Sequence, residues 1–365
     1  MSAAPRAAAP RAILDRRTTY DRYLEDEGIP IVEDFYLRDL SSVEVAAWER
    51  TGALGAIVRL EGAQMLDDSY VLEIPPEVRT IPQRHLYEEL VYIVSGTGTT
   101  TVWNNQGTKV TFEWRAGSLF AIPLNTWYQH FNTSGTESVR YYAVTNAPLM
   151  MNLFHNQDFI FNQDYDFVDR FGASTGDFSG TGKAYEGRIW DTTFVPDVRT
   201  MELQEWKERG AGGRNVLLEI SDGIMCGHIS QFPVGTYKKA HRHTAGAHVI
   251  ILSGEGFSLL WPEGKSPRRV DWGPGSVVVP PDQWFHQHFN TGSTPARYLA
   301  LRFGSKKFPL FPPSQLDRPT TEGGTQIEYQ DEDPAVRQMF EDDLARKGVE
   351  SRMAEITGIQ APVRR

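Results

Sequence analysis

Short apolar runs separated by turn-forming residues follow one another along most of this chain. Typical runs end at Gly or Pro, as in residues 90–96 (LVYIVSG), 118–123 (SLFAIP), 248–254 (HVIILSG) and 276–281 (SVVVPP). Runs of this length, with frequent Gly, Pro, Asn and Asp between them and little helical periodicity, are typical of strands in an all-β sandwich or barrel.

Two stretches depart from this pattern. Val336, Met339, Phe340 and Leu344 recur at helical spacing, which predicts a helix near the C-terminus with its charges on a solvated face. Residues 151–213 are first aromatic and Asp-rich and then Gly-rich. We interpret them as a connecting segment packed on the first half of the chain, followed by loop.

The chain repeats itself at an offset of 158 residues, without a gap from residue 84 to residue 133. The offset places Trp103 on Trp261, Trp114 on Trp272, and QHFNT at 129–133 on QHFNT at 287–291. A repeat of this size is a domain rather than a solenoid unit. We predict an N-terminal arm and lead-in, a first domain, a connecting segment, a second domain and a tail with the helix, at residues 1–55, 56–150, 151–213, 214–310 and 311–365.

Composition narrows the class of protein. The 365 residues carry a net charge of −10, which argues against a broad nucleic-acid-binding surface. The sequence contains no run of about 18 apolar residues, so it predicts no membrane span. The Ala/Pro/Arg-rich N-terminus predicts a disordered arm rather than a secretion signal. The single cysteine, Cys226, excludes an internal disulfide and a cysteine zinc site. It lies in an apolar run, so we expect it to be buried, and its solitary presence fits a reducing, cytoplasmic location.

Histidines cluster in the second copy at the ends of apolar strands. His241 and His243 are two residues apart, and so are His286 and His288. Residues i and i+2 of a strand face the same way, so each pair can present two imidazoles to one ion. Clustered histidines at this spacing favour a metal site over solvated strand ends. Strand parity turns His248 away from His243, and a fourth-ligand role for His248 is kept as an alternative.

The segments that carry these histidines resemble the two motifs of the cupin superfamily, and residues 83–96 and 117–132 look like the same pair in the first copy. The matching positions of the second copy are Gly235, His241, His243, Gly254, Gly275, Pro281, His286 and Asn290. The resemblance covers most of both repeats. It implies a bicupin, in which two tandem double-stranded β-helix (jelly-roll) barrels share one chain, and by analogy a homo-oligomer.

The second copy departs from the usual motif in one informative way. The Glu ligand of the first motif falls on Ala247, which leaves histidines without a carboxylate. This pattern is similar to gentisate 1,2-dioxygenase and its relatives. The resemblance implies that His241, His243 and His286 hold Fe(II) and that His288 is a catalytic acid/base or hydrogen-bonding residue. Mn, Ni, Cu and Zn stay open as alternatives, because metal selectivity follows geometry and supply.

The first copy has lost part of the ligand set. Its four ligand positions hold Gln83, His85, Glu89 and Tyr128. Gln is a poor ligand for such metals and Tyr suits harder ones, so we predict a degenerate, metal-free barrel. A weak site formed by His85, Glu89, Tyr128 and His130 is the alternative.

Several further residues are candidates near the site. Trp284 could line the pocket, and Arg242 and Arg302 could meet a substrate carboxylate. Lys238 and Lys239 are weaker candidates of the same kind, and a solvated surface position is the simpler interpretation for each of these four cations. His130 is the twin of His288 in a copy that lost its other ligands, so a structural hydrogen bond competes with catalysis for His288. His155 and His228 are interpreted as local hydrogen-bonding residues.

The resemblance implies a non-haem Fe(II)-dependent dioxygenase that cleaves a C–C bond in a hydroxylated aromatic acid or a related chelating compound. The expected partners are a small-molecule substrate and O2, and the expected role is aromatic compound catabolism. Two alternatives differ in class. One is a lyase, isomerase or hydrolase that uses the metal as a Lewis acid. The other is a non-catalytic bicupin that binds a small molecule.

Overall fold

The computed structural model describes residues 16–63, 66–172, 176, 178–243, 246–310 and 318–358. Its helices are α1 (Thr19–Glu27), α2 (Ala147–Phe154), α3 (Gln157–Phe161), α4 (Pro334–Lys347) and α5 (Met353–Thr357), with 3-10 turns at Leu40–Ser42, Lys207–Arg209, Thr320–Glu322 and Tyr329–Asp331. The strands up to the connecting segment are β1 (Ile31–Asp34), β2 (Tyr36–Leu37), β3 (Ala46–Trp48), β4 (Ala53–Leu60), β5 (Asp68–Ile74), β6 (Glu89–Ser95), β7 (Thr97–Trp103), β8 (Lys109–Arg115), β9 (Leu119–Ile122), β10 (Trp127–Asn132) and β11 (Val139–Thr145). Those that follow are β12 (Lys183–Tyr185), β13 (Ile189–Thr192), β14 (Phe194–Val195), β15 (Gln204–Glu205), β16 (Arg214–Ile220), β17 (Met225–Phe232), β18 (Thr236–Tyr237), β19 (His248–Ser253), β20 (Gly256–Trp261), β21 (Arg268–Trp272), β22 (Val277–Val278), β23 (Phe285–Asn290) and β24 (Ala296–Phe303).

Each half of the chain folds into a barrel made of one large and one small sheet. The first barrel has the orders β1-β4-β5-β11-β6-β9-β14 and β10-β7-β8, and β3 pairs with β4. The second has β12-β13-β16-β17-β24-β19-β22-β2 and β18-β23-β20-β21, and β15 pairs with β16. The registers repeat as well, since Tyr128 pairs with Val102 as His286 pairs with Leu260. The predicted all-β class, with two tandem jelly-roll barrels and a C-terminal helix, is confirmed.

The structural repeat begins earlier than the predicted starts at residues 56 and 214. β1 and β13 lie 158 residues apart, and each runs parallel to the first long strand of its own barrel. The chain then crosses over, so that β2 pairs with β22 of the second barrel and β14 pairs with β9 of the first. The lead-in and the connecting segment therefore each complete the large sheet of the other barrel.

The two large sheets pack face to face. Alternate side chains of each sheet form one apolar cluster between the barrels, which includes Val58, Val71, Val144, Leu218, Ile229 and Leu299. The opposite side chains fill the barrel interiors. Ile160, Phe171 and Phe178 of the connecting segment bury against the interior cluster of the first barrel, as predicted for the first part of that segment.

The C-terminal helix covers the outside of the second barrel's small sheet. Asp333 caps the N-terminus of α4 through the amide of Ala335, and Gly348 ends the helix in the left-handed conformation. Val336, Phe340 and Leu344 pack with Phe289 and other small-sheet residues. Met339, which the spacing also placed on the buried face, is 37% exposed. Among the described residues no helix combines the length and apolarity needed to cross a membrane, and the predicted N-terminal arm falls largely outside them.

Asp68, at the start of β5, makes the stability of the fold depend on pH. The residue is 1% exposed, and burial raises its pKa to about 7 against the opposing Ser69 amide and Arg59. The unfolded chain releases the Asp68 proton at about pH 3.9, whereas the folded state holds it up to about pH 7. The free energy of unfolding therefore falls as the pH rises from about 3.9 to about 7. We expect the unfolding free energy of Asp68→Asn to fall less than that of the wild type from about pH 4 to pH 8. Denaturant titrations across that range measure the difference, and equal slopes would contradict it.

Candidate metal centre in the second barrel

Three predicted ligands come together at the mouth of the second barrel. His241 and His286 form an isolated antiparallel bridge, in which each backbone amide donates to the other's carbonyl at 3.1 and 2.9 Å. Their rings lie 4.1 Å apart, and the His243 ring lies 4.8 Å from that of His286. The potential ligand nitrogens of the three residues all lie within 4.8 Å of one another. We call His241, His243 and His286 the histidine triad.

The environment keeps His241 and His286 of the triad neutral. Burial lowers the pKa of His286 to about 3; the Trp284 carbonyl opposes this, while Arg209 and Arg302 add to it. Burial, Arg209 and the neighbouring imidazoles hold the pKa of His241 well below its usual value. Neutral imidazole is the form that ligates metals, so no proton has to leave before a cation binds.

Hydrogen bonding also prepares the triad for a cation. The Trp284 carbonyl lies 3.2 Å from Nδ1 of His286. Because a carbonyl can only accept, Nδ1 carries the hydrogen and Nε2 keeps its lone pair for a metal. Nδ1 of His241 is buried with no hydrogen-bond partner among the described residues. An unsatisfied buried nitrogen costs about 1–3 kcal/mol, a cost that a bound cation removes.

His288 takes part in a buried hydrogen-bond chain. The Trp272 indole donates to Ser258 Oγ at 2.9 Å, and Ser258 Oγ lies 2.7 Å from Nδ1 of His288. The indole donation leaves the serine hydrogen unused, so we assign that hydrogen to Nδ1 and the hydrogen of His288 to Nε2. This tautomer makes His288 a hydrogen-bond donor beside the triad rather than a ligand.

The first barrel contains the same series of hydrogen bonds, from Trp114 through Thr100 to His130. These hydrogen bonds recur in a barrel whose triad positions have changed, so they belong to the barrel architecture. A structural hydrogen bond therefore accounts for part of the role of His288, and a catalytic role stays a prediction.

The structure does not bring His248 to the triad. His248 begins β19 and is 0% exposed. Nδ1 lies 2.7 Å from the Tyr142 hydroxyl of the first barrel, and Nε2 lies 3.5 Å from Asp67. Strand parity explains this placement, because Val249 and Ile251 point into the second barrel while His248 points between the barrels. The alternative of a fourth ligand does not fit this geometry.

The three candidate substrate-binding residues lie in different surroundings. Arg242 points away from the triad, ion-paired with Glu263 at 2.7 Å and lying over the Phe285 ring. Trp284 packs against Phe35 and supplies the carbonyl that orients His286. Arg302 is the cation that matches the prediction best. It lies on the inward face of β24, and its guanidinium donates to the Phe303 carbonyl. Its Nε is buried with no hydrogen-bond partner among the residues that the structure describes.

Sequence reasoning missed or misplaced several interior residues. Lys238, interpreted as a surface residue, is 1% exposed. Arg209 was not considered, although it is 2% exposed and donates to Gln326. Tyr298 was also missed, yet it stands four residues before Arg302 on the same strand, so the period of two could have identified it. Cys226 is buried as predicted, and burial raises the pKa of its thiol to about 11.

At the corresponding positions the first barrel holds a closed hydrogen-bond cluster. His85 is fixed by the Tyr87 carbonyl at Nδ1, and its Nε2 lies 3.1 Å from the Tyr128 hydroxyl. Glu89 accepts from Tyr70, and Gln83 turns away to bond backbone carbonyls. The lone pair that a metal needs on His85 is thus used by Tyr128. The prediction that this barrel is metal-free rests on these contacts and awaits a metal count.

Comparisons with known proteins agree with the fold. Residues 70–145 match the Cupin domain model. A segment of 78 residues is 31% identical to 5-aminosalicylate 1,2-dioxygenase of a Comamonas species. This segment covers 21% of this chain and only 19% of that protein, so the chain matches about a fifth of the length of this relative. Two oxalate decarboxylase structures, one from a study of its substrate binding mode and one from a study of its proton-coupled electron transfer, align with TM-scores of 0.51 and 0.50. Their identities are 13% and 14%, over 74% of this chain and 77% and 78% of theirs.

At these identities the structural matches show a shared fold. The two barrels have the bicupin architecture, and residues 70–145 of the first barrel match the cupin domain model.

Proposed function

We propose that the histidine triad binds one divalent metal ion, most simply Fe(II), and that the protein is a dioxygenase that cleaves a C–C bond in a hydroxylated aromatic acid. The observation that carries this proposal is the set of three imidazoles whose potential ligand nitrogens lie within 4.8 Å of one another, with Ala247 where a carboxylate ligand would stand. The partial likeness to 5-aminosalicylate 1,2-dioxygenase supports the reaction class.

A bound Fe(II) would supply a redox centre at which a chelating substrate and O2 can react. The residues around the triad would then bind and orient the substrate. Nε2–H of His288 offers a hydrogen bond to an anionic oxygen of the substrate, and Arg302 offers its guanidinium to a carboxylate. The apolar wall formed by Val249, Ile251 and Ala300 suits an aromatic ring and limits access of water.

Arg302 provides a test of the acid specificity. A charge-assisted hydrogen bond contributes about 1.5–3 kcal/mol, so we expect Arg302→Gln to lower kcat/KM for an acid substrate about 10- to 100-fold, mainly through KM. The matched control is Arg242→Gln, since that residue faces Glu263 outside the barrel. Steady-state kinetics of both variants decide the point, and equal losses in the two would remove Arg302 from the substrate site.

A Lewis-acid enzyme is the second candidate, and the charge of the triad favours it. Three neutral ligands leave the full dication charge available to polarise a substrate oxygen. O2 uptake separates the two classes. We would load the protein with Fe(II) under nitrogen, admit air-saturated buffer, and screen 5-aminosalicylate and gentisate. Substrate-dependent uptake supports the dioxygenase, and substrate loss without uptake supports a lyase, isomerase or hydrolase.

A further inference from the structure

Lys238 is a buried cation inside the second barrel. It follows β18 directly and is 1% exposed. Its ammonium donates to Ser230 Oγ and, at 3.1 Å, to the Tyr298 hydroxyl. Among the residues that the structure describes, no carboxylate lies within ion-pair distance of it. A buried ammonium without an acid partner is costly, and this cost is lowered if a neighbouring group can become an anion.

Tyr298 is the neighbour that can do so, and it lies on a path to the triad. Its ring centroid is 5.4 Å from that of His288 and 5.8 Å from that of His228. The His288 ring is in turn 5.8 Å from that of His286. His228 was expected to make a local hydrogen bond, but its Nδ1 is buried without one in the described part of the chain.

The first barrel shows that this arrangement is particular to the second. Tyr141 pairs with Ile93 as Tyr298 pairs with Ile251, so the two tyrosines are equivalent. Thr80 is the first-barrel counterpart of Lys238. The Thr80 amide donates to the His130 carbonyl as the Lys238 amide donates to the His288 carbonyl. Glu89 stands where the second barrel has Ala247. The second barrel has therefore exchanged a buried carboxylate for a buried ammonium.

We propose that Tyr298, held by Lys238, is the acid/base group of the second barrel. The inference rests on the proposed function for its substrate. Tyr298 Oη accepts the proton that a substrate hydroxyl loses on binding as an oxyanion. The substrate O–H bond breaks, the tyrosine O–H bond forms, and the Lys238 ammonium stays charged throughout. The proton returns to the product oxygen, and no oxidant or reductant enters this step.

The charges around Tyr298 favour its ionised form. Burial acts to raise the pKa of Tyr298, but Lys238, Ser230 and Arg209 outweigh it, so the pKa lies below its usual value. At Tyr141 burial and Glu89 both raise the pKa, and none of the described cations offsets them, so the pKa lies well above its usual value. The neighbouring strands β17 and β19 place Ser230 and Ile251 opposite Tyr298 and so contribute no titratable side chain there. The titratable and charged groups that face Tyr298 or share its side of the barrel interior are Lys238, His228, His288, Arg209 and Arg302.

An ultraviolet difference titration of the full chain tests the proposal without substrate or metal. Phenolate absorbance should rise first in a single step, below the pH of about 10 at which a free tyrosine ionises. That step should be about one fourteenth of the total, since the chain has 14 tyrosines. We expect Tyr298→Phe to lose that step and Lys238→Met to move it to higher pH. The matched control Tyr141→Phe should keep it.

Each outcome is decisive for Tyr298 and independent of the metal proposal. A wild-type titration with no early step, or a step that survives in Tyr298→Phe, overturns the inference even if the triad binds iron. If the screen finds turnover of 5-aminosalicylate, Tyr298→Phe should lower kcat by about 100-fold or more and remove the acidic limb of the pH profile. A higher KM with an unchanged kcat would instead indicate a substrate-binding role and overturn the acid/base role.

Discussion

Replacing His286 with alanine is expected to lower metal affinity by more than about 100-fold and to remove turnover. The imidazole of His286 lies closest to that of His241, and its Nε2 is the nitrogen left free by the Trp284 carbonyl. Removal of an outer-shell partner of a metal ligand already costs about 10- to 100-fold, so removal of the ligand itself should cost more. Competition with a chelating indicator measures the affinity directly.

The repeat offers a matched control for this variant. His85 is the first-barrel counterpart of His243 by the offset of 158 residues, and its Nε2 is already engaged by Tyr128. His85→Ala should therefore leave metal affinity unchanged. Equal losses in the two variants would mean that the first barrel contributes to the site. Full affinity in His286→Ala would contradict the histidine triad.

Phe289→Ala is expected to lower the free energy of unfolding by about 3–5 kcal/mol. Phe289 is 0% exposed and lies on β23 next to His288. Its ring stacks on those of Phe257 at 4.4 Å and Tyr237 at 4.8 Å, and it contacts Phe340 of the C-terminal helix. Alanine would leave a cavity between the small sheet and α4, at the back of the strand that carries His286 of the triad.

Guanidinium denaturation measures this loss, and an exposed phenylalanine provides the comparison. Phe154 is 42% exposed, so Phe154→Ala should change stability by no more than about 0.5 kcal/mol. We also expect Phe289→Leu to recover more than half of the loss, because it refills most of the cavity. Similar stability of Phe289→Ala and the wild type would show that α4 does not seal the sheet as described.

Much of the architecture could be predicted because it repeats. Strand-length apolar runs and paired Trp, His and Gly positions were enough to identify two β-barrels, and the spacing of Val336, Phe340 and Leu344 identified the helix. The crossed strands were not predictable in the same way. β2 and β14 are two residues long, which is too short for periodicity, and each pairs with a strand of the other barrel.

The candidate site was predictable only where local spacing along the chain determines which residues meet. The i, i+2 rule paired His241 with His243, and the resemblance to the cupin motifs added His286 to them. Strand parity argued against His248, but the fourth-ligand alternative kept for it does not fit its contacts with Tyr142 and Asp67. The partner of His248, Tyr142, lies 106 residues earlier, and no local pattern connects them. Lys238 was misplaced because lysine is seldom fully buried. Its position becomes evident only when the barrel closes and brings Ser230 and Tyr298 to it.

The measurement that tests the central claim most directly is the metal content of the full chain, purified without chelator and without oxygen. The histidine triad predicts about one iron per wild-type chain and about one in His85→Ala, with none in His286→Ala. No bound metal in any of the three, or equal metal in all of them, would contradict a metal centre at His241, His243 and His286.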